Sequence, residues 1–342
     1  LALISNPAVF ELYGAAVCES LRAADFQVVH LLIGDGERHQ NFRTLERALA
    51  FLSAAGLERS DAVVAVGGGV VGDLAGLAAA LYLRGIALMQ IPTTLLAQID
   101  ASVGGKAAVN TSHGKNLFGA FHQPRAVIVD TETLRTLPAR ELTAGWCEAV
   151  KQGAAGDRSL FDDTFDFLKN DGPHGAAPTA SRENRLARLI AAQVAFKALI
   201  VSGDEREDAG RTDHRSRRIL NFGHTTAHAL EAITDYRRFR HGEAVGYGML
   251  AAGEISKKLG MLDTSELELL RAAVHCCGRL PRADDLDPKR IISALALDKK
   301  SVGGHVKWVL LERLGRAAIV DGRAINPRAL RASIRAALQR MA

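Results

Sequence analysis

Glu148 with Lys151, His224 with His228, and His241 in His241-Gly242-Glu243 are spaced like the parts of one divalent-metal site. His224 and His228 stand four apart in a helical pattern, so both project from one helix face, a known chelate geometry. Protease chemistry is disfavoured, because Thr225 stands where the zincin signature needs a glutamate. Glu148 falls on the run Leu142 to Val150, and His241 precedes another helical run. A glutamate and two histidines would leave an open coordination position, as catalytic zinc prefers. Spacing alone leaves the alternative that some of these histidines cap helices or satisfy core carbonyls.

A second chemical signal lies upstream in Gly67-Gly68-Gly69-Val70-Val71-Gly72-Asp73. Gly67, Gly69 and Gly72 satisfy GxGxxG, follow the strand-like run Asp61 to Val66 and open the helical run Val70 to Leu83, the context that motif requires. Amides at that helix start suit a pyrophosphate, although glycine-rich strand-to-helix turns also arise for packing alone. The acidic residue about twenty positions downstream that usually meets the ribose is missing, since Ile91-Pro92-Thr93-Thr94 stands there. The acids come earlier, as Asp35-Gly36-Glu37 after the second strand. A dinucleotide held here is therefore not held in the ordinary Rossmann order.

Asp100-Ala101-Ser102-Val103-Gly104-Gly105-Lys106 only superficially resembles a phosphate loop: Asp100 occupies the first glycine's place, and Ala107 replaces the magnesium-binding Ser or Thr. What remains is a pair of lysines among small residues, Gly105-Lys106 and Gly114-Lys115-Asn116. Glycine lets backbone and ammonium come close to an anion. The alternative is two solvated surface lysines.

The elements that must position these groups change character along the chain. Leu1 to Ile4, Val28 to Ile33, Ala62 to Val66, Ile86 to Ile91 and Ala126 to Val129 read as buried strands alternating with helices, which argues for a Rossmann-like α/β unit with a largely parallel sheet. After Pro138 long amphipathic patterns take over, at Leu186 to Ile200, Ile219 to Ile233, Glu243 to Leu259 and Ser265 to Cys276. His305 to Leu311 and Ala317 to Val320 form a late hairpin around Gly315. The expected domains are thus residues 1–138, an α/β nucleotide unit, and 139–342, a mainly helical metal and substrate unit.

With 342 residues, 48% of them apolar, the chain has material for two cores. Its 43 Lys and Arg against 38 Asp and Glu are spread along the chain. That distribution suits a small anionic substrate, and no helix-turn-helix, finger or aromatic-basic interleaving favours nucleic acid. Cys18, Cys147, Cys276 and Cys277 include no CxxC, so neither a disulfide framework nor a thiolate zinc site is indicated, and a reducing cytoplasm is the expected setting. No apolar run approaches the ~20 residues of a membrane helix, so no membrane span is expected. Leu1 falls within a strand pattern, so natural chain is expected before it.

Taken in order, Gly67 to Asp73, Ile91 to Ala97, Asp100 to Lys106, Gly114-Lys115-Asn116, Leu220 to His224 and His241 to Val245 closely resemble the 3-dehydroquinate synthases of the sugar-phosphate cyclase superfamily. The likeness runs from Leu1 to the C-terminal helix. It implies metal ligation, by zinc or cobalt, at Glu148, His224 and His241, with His228 kept for substrate. It places Asp100, Lys106, Asn116, Lys151, Lys197, Glu207, Arg217, Asn221, His228 and Lys299 in the substrate pocket. It gives NAD contacts to Asn6, Asp35, Gly36, Glu37, Gly68, Gly69, Val70, Gly72, Asp73, Thr93, Thr94, Asp100, Lys106, Lys115 and Thr133. Arg84 corresponds to an arginine that reaches the neighbouring subunit's phosphate site, implying a homodimer.

The activity so implied converts 3-deoxy-D-arabino-heptulosonate 7-phosphate (DAHP) to 3-dehydroquinate and phosphate, by transient NAD-dependent oxidation, elimination, re-reduction and intramolecular aldol closure. Gln40 stands where the family usually has lysine, a change expected to weaken an adenosine contact. The segment from Glu207 to Arg217 is longer than the common pattern, which leaves the pocket glutamate open between Glu207 and another acid there. The alternatives are a sibling cyclase of the valiolone or deoxyinosose type and a glycerol-dehydrogenase-like polyol dehydrogenase.

Overall fold

The run Ala62 to Gly67 carries no polar side chain, and it forms a strand buried at every position, as a central parallel strand covered on both faces should be. The computed structural model describes residues 1–112, 114–174, 179–297 and 306–339. The chain divides into two compact units, Leu1–Leu137 and Pro138–Ala342.

The first unit runs β1 (Ala2–Ser5), α1 (Pro7–Val9), α2 (Ala15–Ala23), β2 (Val29–Leu32), α3 (Phe42–Ala54), β3 (Ala62–Gly67), α4 (Gly69–Leu81), β4 (Ala87–Pro92), β5 (Lys106–Thr111), β6 (Gly114–Phe121) and β7 (Ala126–Val127). Strands β2, β1, β3, β4 and β7 lie side by side in that order, all parallel. Alternate side chains serve opposite faces. Ala2, Ile4, Val63 and Ala65 pack with Leu45 and Leu52 of α3 and Leu74 of α4, while Leu3, Val64 and Val66 pack with Cys18 and Leu21 of α2.

The glycine and lysine segment, to which the sequence pattern assigned no strand, pairs as the antiparallel hairpin β5–β6. Ala107 and Val109 join the core cluster that includes Leu74 and Leu77 of α4. The hairpin is hard to see in the sequence because its other strand is partly glycine and leaves Leu117, Phe118 and Phe121 exposed. Gly119 is required there, since a Cβ would come within 2.2 Å of the Ala107 carbonyl.

The second unit runs α5 (Ala139–Gly156), α6 (Arg158–Asp171), α7 (Ala180–Gly203), α8 (His224–Ile233), α9 (His241–Lys258), α10 (Thr264–Cys276), α11 (Pro288–Leu297), β8 (Lys307–Arg313), β9 (Arg316–Asp321) and α12 (Pro327–Gln339). Side-chain caps start several of these helices: Asp157 accepts from the Leu160 amide and Thr179 from that of Arg182. The late hairpin forms as β8–β9; His305, placed in it from the sequence, lies outside the described residues.

Ile219 to Ile233, expected as one helix, is broken. Arg217–Asn221 makes a short 3-10 turn, and Gly223 takes a φ of 79° before α8 begins. A Cβ on Gly223 would lie 2.8 Å from the Met249 amide nitrogen, so the left-handed φ and the close approach of α9 meet at the break, where the apolar period gave no sign of it.

Helix α7 is, by length and composition only, apolar enough to cross a membrane. One face of it is buried in the unit, including a polar side chain: Gln193 donates to the Ala149 carbonyl at 3.2 Å and to Thr164 Oγ1 at 3.0 Å. All four cysteines are free thiols.

Candidate metal and cofactor sites

Three helices of the second unit come together by glycine. A Cβ on Gly242 of α9 would lie 1.9 Å from the Ala144 carbonyl of α5, and one on Gly248 would lie 2.0 Å from the Gly223 carbonyl just before α8. Such backbone proximity brings Glu148, His224 and His241 within reach of one another. Glu243 fixes the start of α9: its carboxylate accepts from the Arg240 amide at 2.7 Å and from Arg140 Nε and Nη2 at 2.8 and 2.6 Å. The glutamate of His241-Gly242-Glu243 thus orients the helix and hence His241.

His241 Nε2 lies 3.3 Å from His224 Nε2 and 3.5 Å from Glu148 Oε1, and His224 Nε2 lies 4.0 Å from the same oxygen. Ligands at ~2.1 Å from a tetrahedral centre stand roughly 3.4 Å apart, so this donor set fits a divalent ion. Glu148 is 1% exposed, and its Oε1 accepts no hydrogen bond. A buried carboxylate oxygen without such a partner is costly unless a cation meets it. Lys151 Nζ lies 2.5 Å from the other oxygen, Oε2, leaving Oε1 directed at the histidines.

His228 shares the cluster, its ring stacked 6.0 Å from that of His241 and edge-on 5.5 Å from that of His224. The sequence reading missed Glu231, whose carboxylate oxygens each lie 3.4 Å from His241 Nδ1. His228, Glu231 and His241 form a second grouping with metal-ligand spacing. The signal was available: Glu231 stands seven residues after His224, on the same helix face.

Lys197 of α7 and Arg217 are buried in this unit. Arg217 Nη1 donates to the Glu205 carbonyl, and its amide donates to Asp204 Oδ2 at 2.8 Å. Asn221 Nδ2 donates to Glu207 Oε1 at 2.9 Å, so of the acids in that long segment Glu207 stands beside the expected pocket asparagine. Asp204 instead ties the segment together through Ser216 and the amides of Asp208 and Arg217. Lys299 lies outside the described residues.

In the first unit, the expected NAD residues gather at the carboxyl ends of the strands. Asn6 follows β1, Asp35 follows β2, Gly68 and Gly69 follow β3, and Thr93 and Thr94 follow β4. The strand order reverses between β1 and β3, the switch point where open α/β sheets bind ligands. Gly68 precedes α4 without a side-chain cap, the arrangement in which amides of a first helical turn can meet an anion. Asn6 Nδ2 donates to Asp35 Oδ1 at 3.2 Å, holding that acid at the same edge.

A Cβ on Gly72 would lie 2.9 Å from Gln90 Oε1, the tip of a side chain that would have to shift. Glu37 pairs with Lys115 at 2.6 Å, and Thr133 Oγ1 accepts from Gln98 Nε2 at 3.0 Å. Gln40 is buried, with Nε2 at 2.9 Å from Asp73 Oδ2, 3.1 Å from Asn116 Oδ1 and 3.1 Å from the Ala108 carbonyl. It therefore links two expected contact residues from inside the protein. Asp100 lies in the helical turn Ala97–Ala101, and Lys106 opens β5 with its side chain exposed. Gly36 and Arg84 are exposed at positive φ, 86° and 68°, while Val70 is part-buried in the first turn of α4.

Comparison with known proteins covers both units. Residues 30–144 match the model of the 3-dehydroquinate synthase N-terminal domain, and residues 145–301 that of its C-terminal domain. The 3-dehydroquinate synthase of Pelotomaculum thermopropionicum is 44% identical over 329 residues, covering 95% of this chain and 84% of the relative. Among solved structures, the 2-epi-5-epi-valiolone synthase of Streptomyces hygroscopicus with NAD+ and Zn2+ bound matches with a TM-score of 0.86 at 27% identity, covering 99% of this chain and 91% of its own. A 2-deoxy-scyllo-inosose synthase complexed with carbaglucose-6-phosphate, NAD+ and Co2+ matches with a TM-score of 0.83 at 28% identity, covering 98% and 89%.

Proposed function

The chain belongs to the 3-dehydroquinate synthase family, and from that premise we propose that it converts DAHP to 3-dehydroquinate and phosphate, a carbon-oxygen lyase step of the shikimate pathway toward chorismate and the aromatic amino acids. The observation that carries the reading is the buried Glu148 oxygen directed at two histidines, in a unit that also buries Lys197 and Arg217. When bound, NAD supplies a reversible hydride acceptor and the zinc or cobalt ion a Lewis acid for developing oxygen charge.

Glu148, His224 and His241 would hold the ion, with Lys151 fixing the Glu148 carboxylate. Amides at the start of α4, with Asp35, Asp73, Thr93 and Thr94, would hold the dinucleotide. Arg217 presents a planar fork suited to a carboxylate, with Lys197 as a second cation. Of the phosphate residues the family likeness implies, Asn221 and His228 stand in the second unit, with Glu207 orienting the Asn221 amide, and Lys106 and Asn116 in the first. A homodimer, in which Arg84 completes the partner's phosphate site, suits that arginine's exposed position on a left-handed turn. The four free thiols suit a reducing cytoplasm.

The second reading is a sibling cyclase, favoured by the two solved structures and their cofactors. The sibling substrates lack the carboxylate that Lys197 and Arg217 would meet. Metal-loaded protein mixed with DAHP and catalytic NAD should release phosphate and 3-dehydroquinate in equal amounts without accumulating NADH. Phosphate release from sedoheptulose 7-phosphate or glucose 6-phosphate, but not DAHP, would transfer the chain to a sibling activity. Net NADH production from a polyol would instead indicate a dehydrogenase.

A further inference from the structure

We propose that Glu231 is a positioning residue of the metal centre: it holds His241 with the proton on Nδ1 and so turns the Nε2 lone pair toward Glu148 and His224. The inference rests on the reading of Glu148, His224 and His241 as the ligands. Glu231 is 2% exposed, and both its oxygens lie 3.4 Å from His241 Nδ1. An ionised carboxylate only accepts, so the nitrogen it faces is the donor of the ring. The other nitrogen, Nε2, is then left to donate an electron pair, and it lies 3.5 Å from Glu148 Oε1.

His224 is arranged alike, with Nδ1 3.3 Å from the Phe222 carbonyl. The two histidines thus differ in the strength of their outer partner, a neutral carbonyl for one and a carboxylate for the other. A carboxylate partner fixes the tautomer and ring orientation and makes the imidazole a better electron-pair donor, and removing such a partner typically costs 10–100-fold in metal affinity. Helix α8 would then play two parts: it supplies one ligand, His224, and it orients a ligand of α9 through Glu231.

The competing role for Glu231 is that of a direct ligand, because His228, Glu231 and His241 also have metal-ligand spacing. The two roles differ in what single substitutions do. As a positioning residue, Glu231→Gln keeps an amide oxygen that still accepts from Nδ1, so the ion stays while His224→Ala loses it. As a ligand, Glu231→Gln loses the ion and His224→Ala keeps it.

The experiment is zinc competition against a chromophoric chelator on the full chain, together with the visible spectrum of the cobalt form, for the unsubstituted protein, Glu231→Ala, Glu231→Gln and His224→Ala. The expected result is a 10–100-fold weaker zinc affinity in Glu231→Ala, partial recovery in Glu231→Gln, a shifted cobalt spectrum in both, and unchanged NAD affinity. Zinc affinity in Glu231→Ala equal to that of the unsubstituted protein overturns the proposal, and so does metal lost from Glu231→Gln but kept by His224→Ala. If Glu231→Ala does not fold, the near-isosteric Gln variant decides by the same criteria. Failure of the unsubstituted protein to bind metal would overturn the ligand reading itself, an outcome distinct from failure of Glu231 alone.

Discussion

The two units prepare their sites in opposite ways. At the strand ends of the first unit the expected contacts are backbone amides, threonines and exposed acids, with Asp35 and Glu37 open to solvent. In the second unit they are side chains on packed helices, with Glu148 and Glu231 buried and Gly242 and Gly248 pressed against neighbouring backbone. A flexible dinucleotide can be gathered by loops that adjust. A small ion needs ligands held to a few tenths of an ångström, which rigid elements provide better than loops.

The sharpest way to break that contrast is to remove a ligand. His241→Ala should lose metal affinity by more than about 100-fold, beyond the loss typical of an outer partner, and turnover with it. Because the cofactor residues belong to the other unit, NAD binding should persist. Metal content by elemental analysis and NAD titration test both halves; full metal retention would refute the ligand assignment.

Next in size are two glycine substitutions, one in each unit. A Cβ on Gly242 meets the Ala144 carbonyl at 1.9 Å, a backbone atom that can yield only if α5 and α9 part. Gly242→Ala should therefore cost at least about 1–3 kcal/mol and weaken metal binding with it. At Gly68, whose φ is −78°, the nearest atom is Thr94 Cγ2 at 3.0 Å, on a side chain that can turn. Gly68→Ala should keep the fold and instead weaken NAD by about tenfold, equivalent to ~1.4 kcal/mol. Denaturant melts and NAD titration on both variants check the contrast, and equal stability losses would erase it.

How legible each unit was in the sequence follows the same division. The parallel strands could be read because buried strands leave uninterrupted apolar runs, as at Ala62 to Val66. The histidines stood out through their type and spacing. Glu231, although in register with His224, was passed over, because an acid on a helix looks like a solvated surface charge until its burial is known. Gly242 and Gly248 reveal close packing only once the neighbouring backbone is seen, and at the break Gly223 combines a left-handed φ with the close approach of α9, which the apolar period does not show. Gln40, noted only as a missing lysine, proves to be an internal link between Asp73 and Asn116.

The smallest expected effect tests whether the second unit's rigidity extends to its long connecting segment. Burial pushes the Asp204 carboxyl up, but amide donors from Asp208 and Arg217, the Ser216 hydroxyl and the nearby Arg211 outweigh it and hold the group below its ordinary value. A carboxyl depressed in the folded state contributes stability that is fully present above its unfolded value, about 4, and is lost as pH falls through the lower folded value. Asp204→Asn should thus lower stability by about 1 kcal/mol at neutral pH, the difference between a hydrogen bond to a charged group and one to a neutral group. The difference from the unsubstituted protein should shrink as pH drops below about 4. Denaturant melts across that range measure it. A gap that stayed constant with pH would mean that Asp204 acts by shape alone, and that the segment carrying Glu207 and Arg217 is not fastened by this charge.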